Sequence, residues 1–390
     1  MNNLSFPRPR QSEIGERLRA EVREFIDDWH GDRPGAASGW HGDRTAAASF
    51  SGFDPAFSEA LGQRGWIGMG FPKRYGGGGY GLMERFVVLE ELLAVRAPVF
   101  AHAVAERQSG PLLLRFGNER QREEILPRIA AGTCYFCIGL SEPDSGSDLA
   151  SVRTRATKVD GGWLVNGAKI WTSSAHRTHY MILLCRTAPA SEVRQAGLSQ
   201  FLVDMKTPGI TCRPIVNIAG DHDFNEVHFQ DVFLADDALI GVEGQGWQQV
   251  TSELTFERSG PDRFMSHMGA VEEFVAVLKQ QPSGEGARTL GRLVAHLSTL
   301  RRMSRSIATM ITDEQDAALH AALVKDLGTC FEQEIPETLR LVLQTEPEPG
   351  ASDPYSAALA NVILHAPSCT IRGGTKEVLR GIVAKSLGLR

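Results

Sequence analysis

What the 390-residue chain has little of already excludes several classes. Its six cysteines are too few for a disulfide-stapled scaffold, which belongs to short, cysteine-dense secreted chains. No apolar run approaches the ~20 residues that a membrane-crossing helix needs. A basic surplus is missing too. With a net charge of −6 and a pI of about 6.0, there is no electrostatic footprint for nucleic acid or an anionic bilayer. The opening Met1-Asn2-Asn3-Leu4-Ser5-Phe6-Pro7 lacks both a basic start and an apolar stretch, which predicts no secretory leader. A cytoplasmic protein is the expectation. Cys134 and Cys137 form a C-x-x-C, but there is no second pair to complete a metal site. Residues three apart face opposite sides of a strand, so both read as small apolar strand residues. No metal is expected.

What is present is the composition of a soluble globular protein, 42% apolar and 23% charged. The length allows two or three domains. Ile14, Leu18, Val22, Phe25, Ile26 and Trp29 recur at helical spacing over residues 12–30. A short duplication follows, Trp29-His30-Gly31-Asp32-Arg33 and Trp40-His41-Gly42-Asp43-Arg44. Two copies are too few for a repeat architecture, and the histidines read as part of a surface loop. Asp54-Pro55 is an N-cap followed by proline at the first helical position. The glycine-rich run from Tyr75 to Gly81 reads as a flexible turn, since no strand-then-helix context for phosphate binding surrounds it. Helical patterns over 83–96 and 119–131 complete an N-terminal helical domain, 1–133.

From Cys134 the period changes. Strand-like runs fall at 134–140, 151–159, 163–166, 168–173, 179–186, 198–204, 209–216 and 225–234, between Gly, Pro, Asp and Asn. They predict a small antiparallel β-barrel or sandwich over 134–240. Helical periodicity then resumes in four stretches, 246–280, 288–314, 317–344 and 354–387, the last interrupted by Gly373-Gly374. That predicts a C-terminal four-helix bundle over 241–390 and an α+β multidomain chain.

One stretch organises the rest. Residues 139–148, Gly-Leu-Ser-Glu-Pro-Asp-Ser-Gly-Ser-Asp, form a loop of glycines and hydroxyls bent at Pro143. The turns Asp160-Gly161-Gly162 and Asn166-Gly167 then divide three short runs into a meander ending in Trp171-Thr172-Ser173. Exposed amides, hydroxyls and a flat aromatic face suit a planar cofactor with phosphates. An ordinary hairpin with a serine-rich turn reads equally well from pattern alone. The segment "GLSEPDSGSDLASVRTRA" followed by "VNGAKIWTSSA" closely resembles the flavin-contacting segment of the acyl-CoA dehydrogenases, and "IRGGTKEVLRGIVAK" resembles that family's C-terminal signature. The order helical domain, β domain, helical bundle is that family's architecture.

The resemblance implies FAD, an acyl-coenzyme A or acyl-carrier-protein thioester as substrate, an electron-transfer flavoprotein as acceptor, and a homodimer or homotetramer. It places Leu140, Ser141, Gly146, Ser147, Trp171, Ser173, Thr375 and Glu377 on the flavin. Ser147, Arg258 and Arg372 are assigned to substrate. The family's R-x-x-F-G and Gln…Gly-Gly-x-Gly stretches are absent here. Many relatives carry an aromatic residue at the position of Arg372. A guanidinium beside a water-poor slot turns either to a protein carboxylate or to a polar acyl group. Where many relatives place the catalytic glutamate this chain has Gly373, whose amide could still polarise the thioester carbonyl. Other branches place the base just before an arginine on the first bundle helix, and Thr255-Phe256-Glu257-Arg258 stands there. Independently, Val250, Leu254 and Glu257 share a helical face by spacing of four and three. A carboxylate on an apolar stripe is desolvated, which raises its pKa. Ser259-Gly260-Pro261 predicts a kink immediately after it. The chain therefore reads as an FAD-dependent acyl-CoA dehydrogenase with Glu257 as base. Two alternatives stand beside it: a silent partner subunit and a flavin monooxygenase of the same fold.

Overall fold

The computed structural model describes residues 5–10, 12–31, 52–189 and 192–389, without the side chains of residues 30, 31 and 254–257. The second Trp-His-Gly-Asp-Arg copy and the end of the first lie outside the described residues. In chain order the first helices are α1 (Glu13–Gly31), α2 (Pro55–Gln63), α3 (Leu82–Ala94), α4 (Phe100–Val104), α5 (Gly110–Phe116) and α6 (Glu119–Ala130). Seven strands follow: β1 (Phe136–Gly139), β2 (Arg155–Val159), β3 (Gly162–Ser173), β4 (Tyr180–Arg186), β5 (Leu198–Asp204), β6 (Ile210–Ile215) and β7 (Phe224–Ala235). Helices α7 (Gly246–Glu257), α8 (Met268–Gln280), α9 (Gly284–Thr312), α10 (Ala318–Leu343), α11 (Pro354–Cys369) and α12 (Lys376–Ser386) complete the chain. Two compact units result. One takes Met1–Phe53, Tyr80–Phe100 and Thr255–Arg390; the other takes Asp54–Gly79 and Ala101–Leu254.

The second unit holds the sheet. Asp54 caps α2 as its sequence predicts, accepting from Phe57 N at 3.0 Å, with Pro55 at the first position. Asp54→Ala should lower the unfolding free energy by about 1 kcal/mol, read by denaturant titration; an unchanged midpoint would show the cap to be idle. The glycine-rich turn is pinned rather than flexible, because the buried Tyr75 donates to Glu119 Oε1 at 2.7 Å. Between α4 and α5 the helix widens into a π-helical turn, Ala105–Ser109.

The sheet order is β1-β4-β2-β3-β7-β6, with β5 beside β4. β1 pairs with β4 in parallel, so the sheet is mixed rather than wholly antiparallel. The chain crosses over between those two strands instead of turning back. Asn166-Gly167, expected as a turn, is a bulge inside the 12-residue β3. Pairing with β7 shifts between Val165 and Gly167, where Gly167 has φ 146°, and Asn166 Nδ2 donates to Asp231 Oδ1 at 3.0 Å. Eight expected runs thus become seven strands, and the meander becomes a hairpin of β2 and β3. Its core packs Trp163, Val165, Leu183, Phe201, Val227 and Phe229. All six cysteines are free. Cys134 and Cys137 are buried as apolar residues, and burial pushes their thiols up to about 11 and about 12.

In the first unit α8, α9, α10 and α11 pack in a closed ring, the expected bundle. Two of the predicted helices are broken, each where its sequence marks a kink or an interruption, at Ser259-Gly260-Pro261 and at Gly373-Gly374. The 3₁₀ turn Pro261–Arg263 separates α7 from α8, since Pro261 offers no N–H to continue the ladder. The segment after Cys369 separates α11 from α12. α1 buries Leu18, Val22, Phe25 and Ile26 and packs on α3. Arg301 of α9 grips Glu90 of α3 with two bonds, at 2.5 and 2.8 Å. Among the described residues no helix is long and apolar enough to cross a membrane.

Candidate active site

In the second unit the loop after β1 and the end of β3 are fastened together. Ile170 N donates to Ser141 O at 2.9 Å. The ammonium of Lys169 donates to Leu140 O at 2.9 Å and to Glu142 Oε1 at 2.8 Å. Glu142 also accepts from Arg153 N at 2.6 Å and Thr154 N at 2.9 Å. Both ends of this pair are buried, at 0% and 8% exposure. Burial alone would raise the Glu142 carboxyl, but Lys169 and the bonds from Arg153 and Thr154 hold it below the ordinary carboxylate value. For Lys169 burial prevails over its partner and pulls the ammonium below the ordinary lysine value. Sequence reasoning passed over this pair. Its only signal is a lysine between the apolar neighbours Ala168 and Ile170.

Glu142 and Ser145 exchange backbone hydrogen bonds at 2.7 and 3.0 Å. That tight turn presents Gly146 and Ser147 to the exterior, with nothing within 4 Å of where a Gly146 side chain would begin. At the strand end, the β3–β7 pairing shifts again between Lys169 and Thr172. This second bulge turns Trp171 into the left-handed region, φ 59°, and leaves it 58% exposed. A bulky residue held there costs roughly 1–3 kcal/mol, and such strain concentrates at ligand sites. Phe224 supports the indole edge-on at 6.0 Å, and Ser173 stands opposite Phe224 in the register. Beneath them the buried Asn225 donates to Thr172 O at 3.1 Å and bonds His222 Nε2 at 2.9 Å. The rings of His176 and His222 stack at 3.8 Å. Burial, then the neighbouring His222 and Arg177, keeps His176 below the ordinary histidine value. Asn225 was not foreseen either.

The first unit holds the remaining candidates. Glu257 is the last residue of α7, and its side chain lies outside the described residues. Arg258, next in the chain, donates Nε to Gly373 O at 3.0 Å. Gly373 and Gly374 have φ 69° and 98°, two successive left-handed residues that glycine alone adopts without strain. Thr375 then caps α12, accepting from Val378 N at 3.3 Å. Glu377 is exposed in the first turn, its carboxyl lowered by its own amide and then by Thr375. Arg372 turns to the protein: its Nη2 donates to Glu332 Oε2 and to Ser266 Oγ, each at 2.7 Å. Ser266 N donates in turn to Glu332 Oε1 at 3.0 Å. Burial would raise the fully buried Glu332, yet Arg372 and His267 bring it down to about 2.

Three family models match the chain: acyl-CoA dehydrogenase N-terminal domain over residues 12–133, middle domain over 137–232 and C-terminal domain over 244–388. The chain belongs to the acyl-CoA dehydrogenase family. It is 32% identical over 380 residues to acyl-CoA dehydrogenase IpdE1 of Mycobacterium tuberculosis, covering 96% of this chain and 97% of that one. Acyl-CoA dehydrogenase FadE29 of the same organism is 33% identical over 348 residues, with 84% and 86% covered. Among solved structures, the Tcur3481-Tcur3483 steroid ACAD superposes with a TM-score of 0.83 at 28% identity, over 97% of this chain and 98% of that one. The ChsE4-ChsE5 complex from Mycobacterium tuberculosis gives 0.81 at 27% identity, over 98% and 100%. As a member of the family the chain is an oxidoreductase acting on acyl-CoA, and the family's cofactor is FAD. Its own residues fit that group. Trp171 offers a strained, exposed indole face, and the braced loop offers small residues with open space before them.

Proposed function

We propose that this chain catalyses α,β-dehydrogenation of an acyl-CoA, with Glu257 as the base and an electron-transfer flavoprotein as electron acceptor. The observation that supports it is the Arg258 bond to Gly373 O, which fixes the residue after Glu257 to the glycine turn. That turn is where the thioester carbonyl is to be polarised. The Gly373 amide donates to the carbonyl and so acidifies the α carbon, and Glu257 removes the α proton. Bound FAD supplies the hydride acceptor. Leu140, Ser141, Trp171 and Ser173 line its ring end, and Gly146 and Ser147 take its phosphates, with Ser147 also reaching the substrate. Thr375 and Glu377 serve the cofactor from the start of α12. Arg372, held by Glu332, sets the shape of the turn. The chain assembles as a homodimer or homotetramer.

Trp171→Ala should weaken FAD binding by about 1 kcal/mol beyond the area lost, read by fluorescence titration of the apoprotein; unchanged affinity would remove the indole from the cofactor site. The reaction itself is tested by mixing the FAD-loaded protein without oxygen against a panel of acyl-CoAs, straight-chain, branched and steroid-bearing. The steroid member is included because the chain is similar to a steroid ACAD. Bleaching of the flavin by a panel member supports dehydrogenation. A second reading, a silent partner subunit, draws on Gly373 standing where many relatives carry the base and on similarity to a two-component complex. Retained flavin colour with every acyl-CoA would favour it.

A further inference from the structure

Helix α10 carries a row of buried polar residues, Lys325, Thr329 and Glu332, whose spacing of four and three sets them on one face. Such a row inside a bundle is unfavourable unless its members are bonded. Lys325 Nζ donates to Cys369 O at 2.9 Å and also to the Thr329 hydroxyl, and Thr329 Oγ1 donates to the same carbonyl at 3.3 Å. Cys369 ends α11, so this is one of the acceptors a helix leaves orphaned, at its negative end. Glu332 holds Arg372. Gln333, the next residue, accepts from Lys376 Nζ at 2.9 Å. One side of α10 therefore clamps the connection between α11 and α12 at residues 369, 372 and 376, and Arg258 holds its centre at Gly373.

We propose that Lys325 is a positioning residue for the dehydrogenation, setting through the Cys369 carbonyl where the Gly373 turn stands against the thioester. This rests on the assignment of that turn to the carbonyl. The groups facing Lys325 are Arg263 before α8, Glu332 on its own helix, Cys369 at the end of α11 and Arg372 in the turn. His267 and Asp262 belong to the same cluster. Burial, then Arg263 and Arg372, brings the lysine down to about 8 against the pull of Glu332 and Cys369. Below that pH an ammonium holds the carbonyl; above it a neutral amine holds it more weakly. The reaction rate thus falls as pH rises through about 8. Stability moves the other way. The folded value lies below the ordinary 10.5, so between the two the unfolded chain binds the extra proton, and this group's contribution to stability rises with pH.

The test uses the FAD-loaded full chain, with anaerobic flavin reduction and thermal unfolding followed on both sides of pH 8. Wild type should lose rate above pH 8 without a matching loss of unfolding midpoint. Lys325→Met should lower the saturated reduction rate on the order of 10- to 100-fold, keep KM and FAD content, and show no alkaline limb. Lys325→Arg, which stays charged at high pH, should recover rate and also lack the limb. Hydrogen exchange of the 370–376 amides, measured without substrate, should be faster in Lys325→Met. Wild-type rate in Lys325→Met, unchanged exchange, or a wild type with no alkaline limb each overturns the inference, and the last needs no variant to fold. A wild type that bleaches with no acyl-CoA overturns the dehydrogenation reading, and this inference falls with it.

Discussion

Glu257→Gln should keep its FAD and bind acyl-CoA, yet lose on the order of 10²-fold or more in anaerobic flavin reduction. Glutamine is nearly isosteric with glutamate, so the change removes the proposed base and little else. Glu257 is the last residue of α7, and its spacing from the buried Val250 puts the two positions on one helical face. The residue after it is tied to Gly373, which can abstract nothing itself. Two other carboxylates near that turn are already engaged or exposed: Glu332 accepts from Arg372 and Ser266 N, and Glu377 lies exposed on α12. Stopped-flow mixing with a saturating acyl-CoA measures the rate directly. Reduction at the wild-type rate would place the base elsewhere.

Lys169→Met should lower the unfolding free energy by about 3–5 kcal/mol, the usual result of stripping one partner from a buried ion pair. The variant leaves Glu142 buried with only the amides of Arg153 and Thr154. Since Lys169 also holds Leu140 O, the loop that presents Gly146 and Ser147 loosens with it, and FAD affinity falls alongside stability. The sign on the acid side is set by Glu142. Its folded value lies below the ordinary 4.5, so it contributes stability that is present above 4.5 and is lost as pH falls through the folded value. Lys169→Met should shrink that acid dependence. A denaturant titration within about 1 kcal/mol of wild type would show that the pair does not brace the loop.

Local signals were legible where local chemistry decides. Asp54 and Pro55 start a helix because cap and ring act within one turn, and Gly161 turns a hairpin because only its own φ is at stake. Asn166-Gly167 carries the same dipeptide signal, but the partner strand β7 decides whether a left-handed glycine makes a turn or a bulge. The helical stretch from Phe100 to Phe116 was missed, as Gly110-Pro111 reads like an interruption; here the helix carries Pro111 by widening into the π-helical turn Ala105–Ser109 just before it. For Arg372 the sequence posed the right choice, a carboxylate or an acyl group, without saying which carboxylate. Glu332 is 40 residues away, a distance that only tertiary packing closes. The buried pair Lys169–Glu142 and the brace of Asn225 were illegible for the same reason.

The first unit is assembled from three separated passes of the chain, and Arg301 reaches back 211 residues to Glu90. During synthesis from the N-terminus, every residue of the second unit is made before the Thr255–Arg390 segment begins. Helix α3, which packs on α9, must wait with part of its buried face uncovered until α9 arrives. Closing so long a loop brings an entropic cost before any contact offsets it. The nascent chain is thus most open to aggregation at its N-terminal helices, and a ribosome stalled before α9 would leave that unit without its bundle.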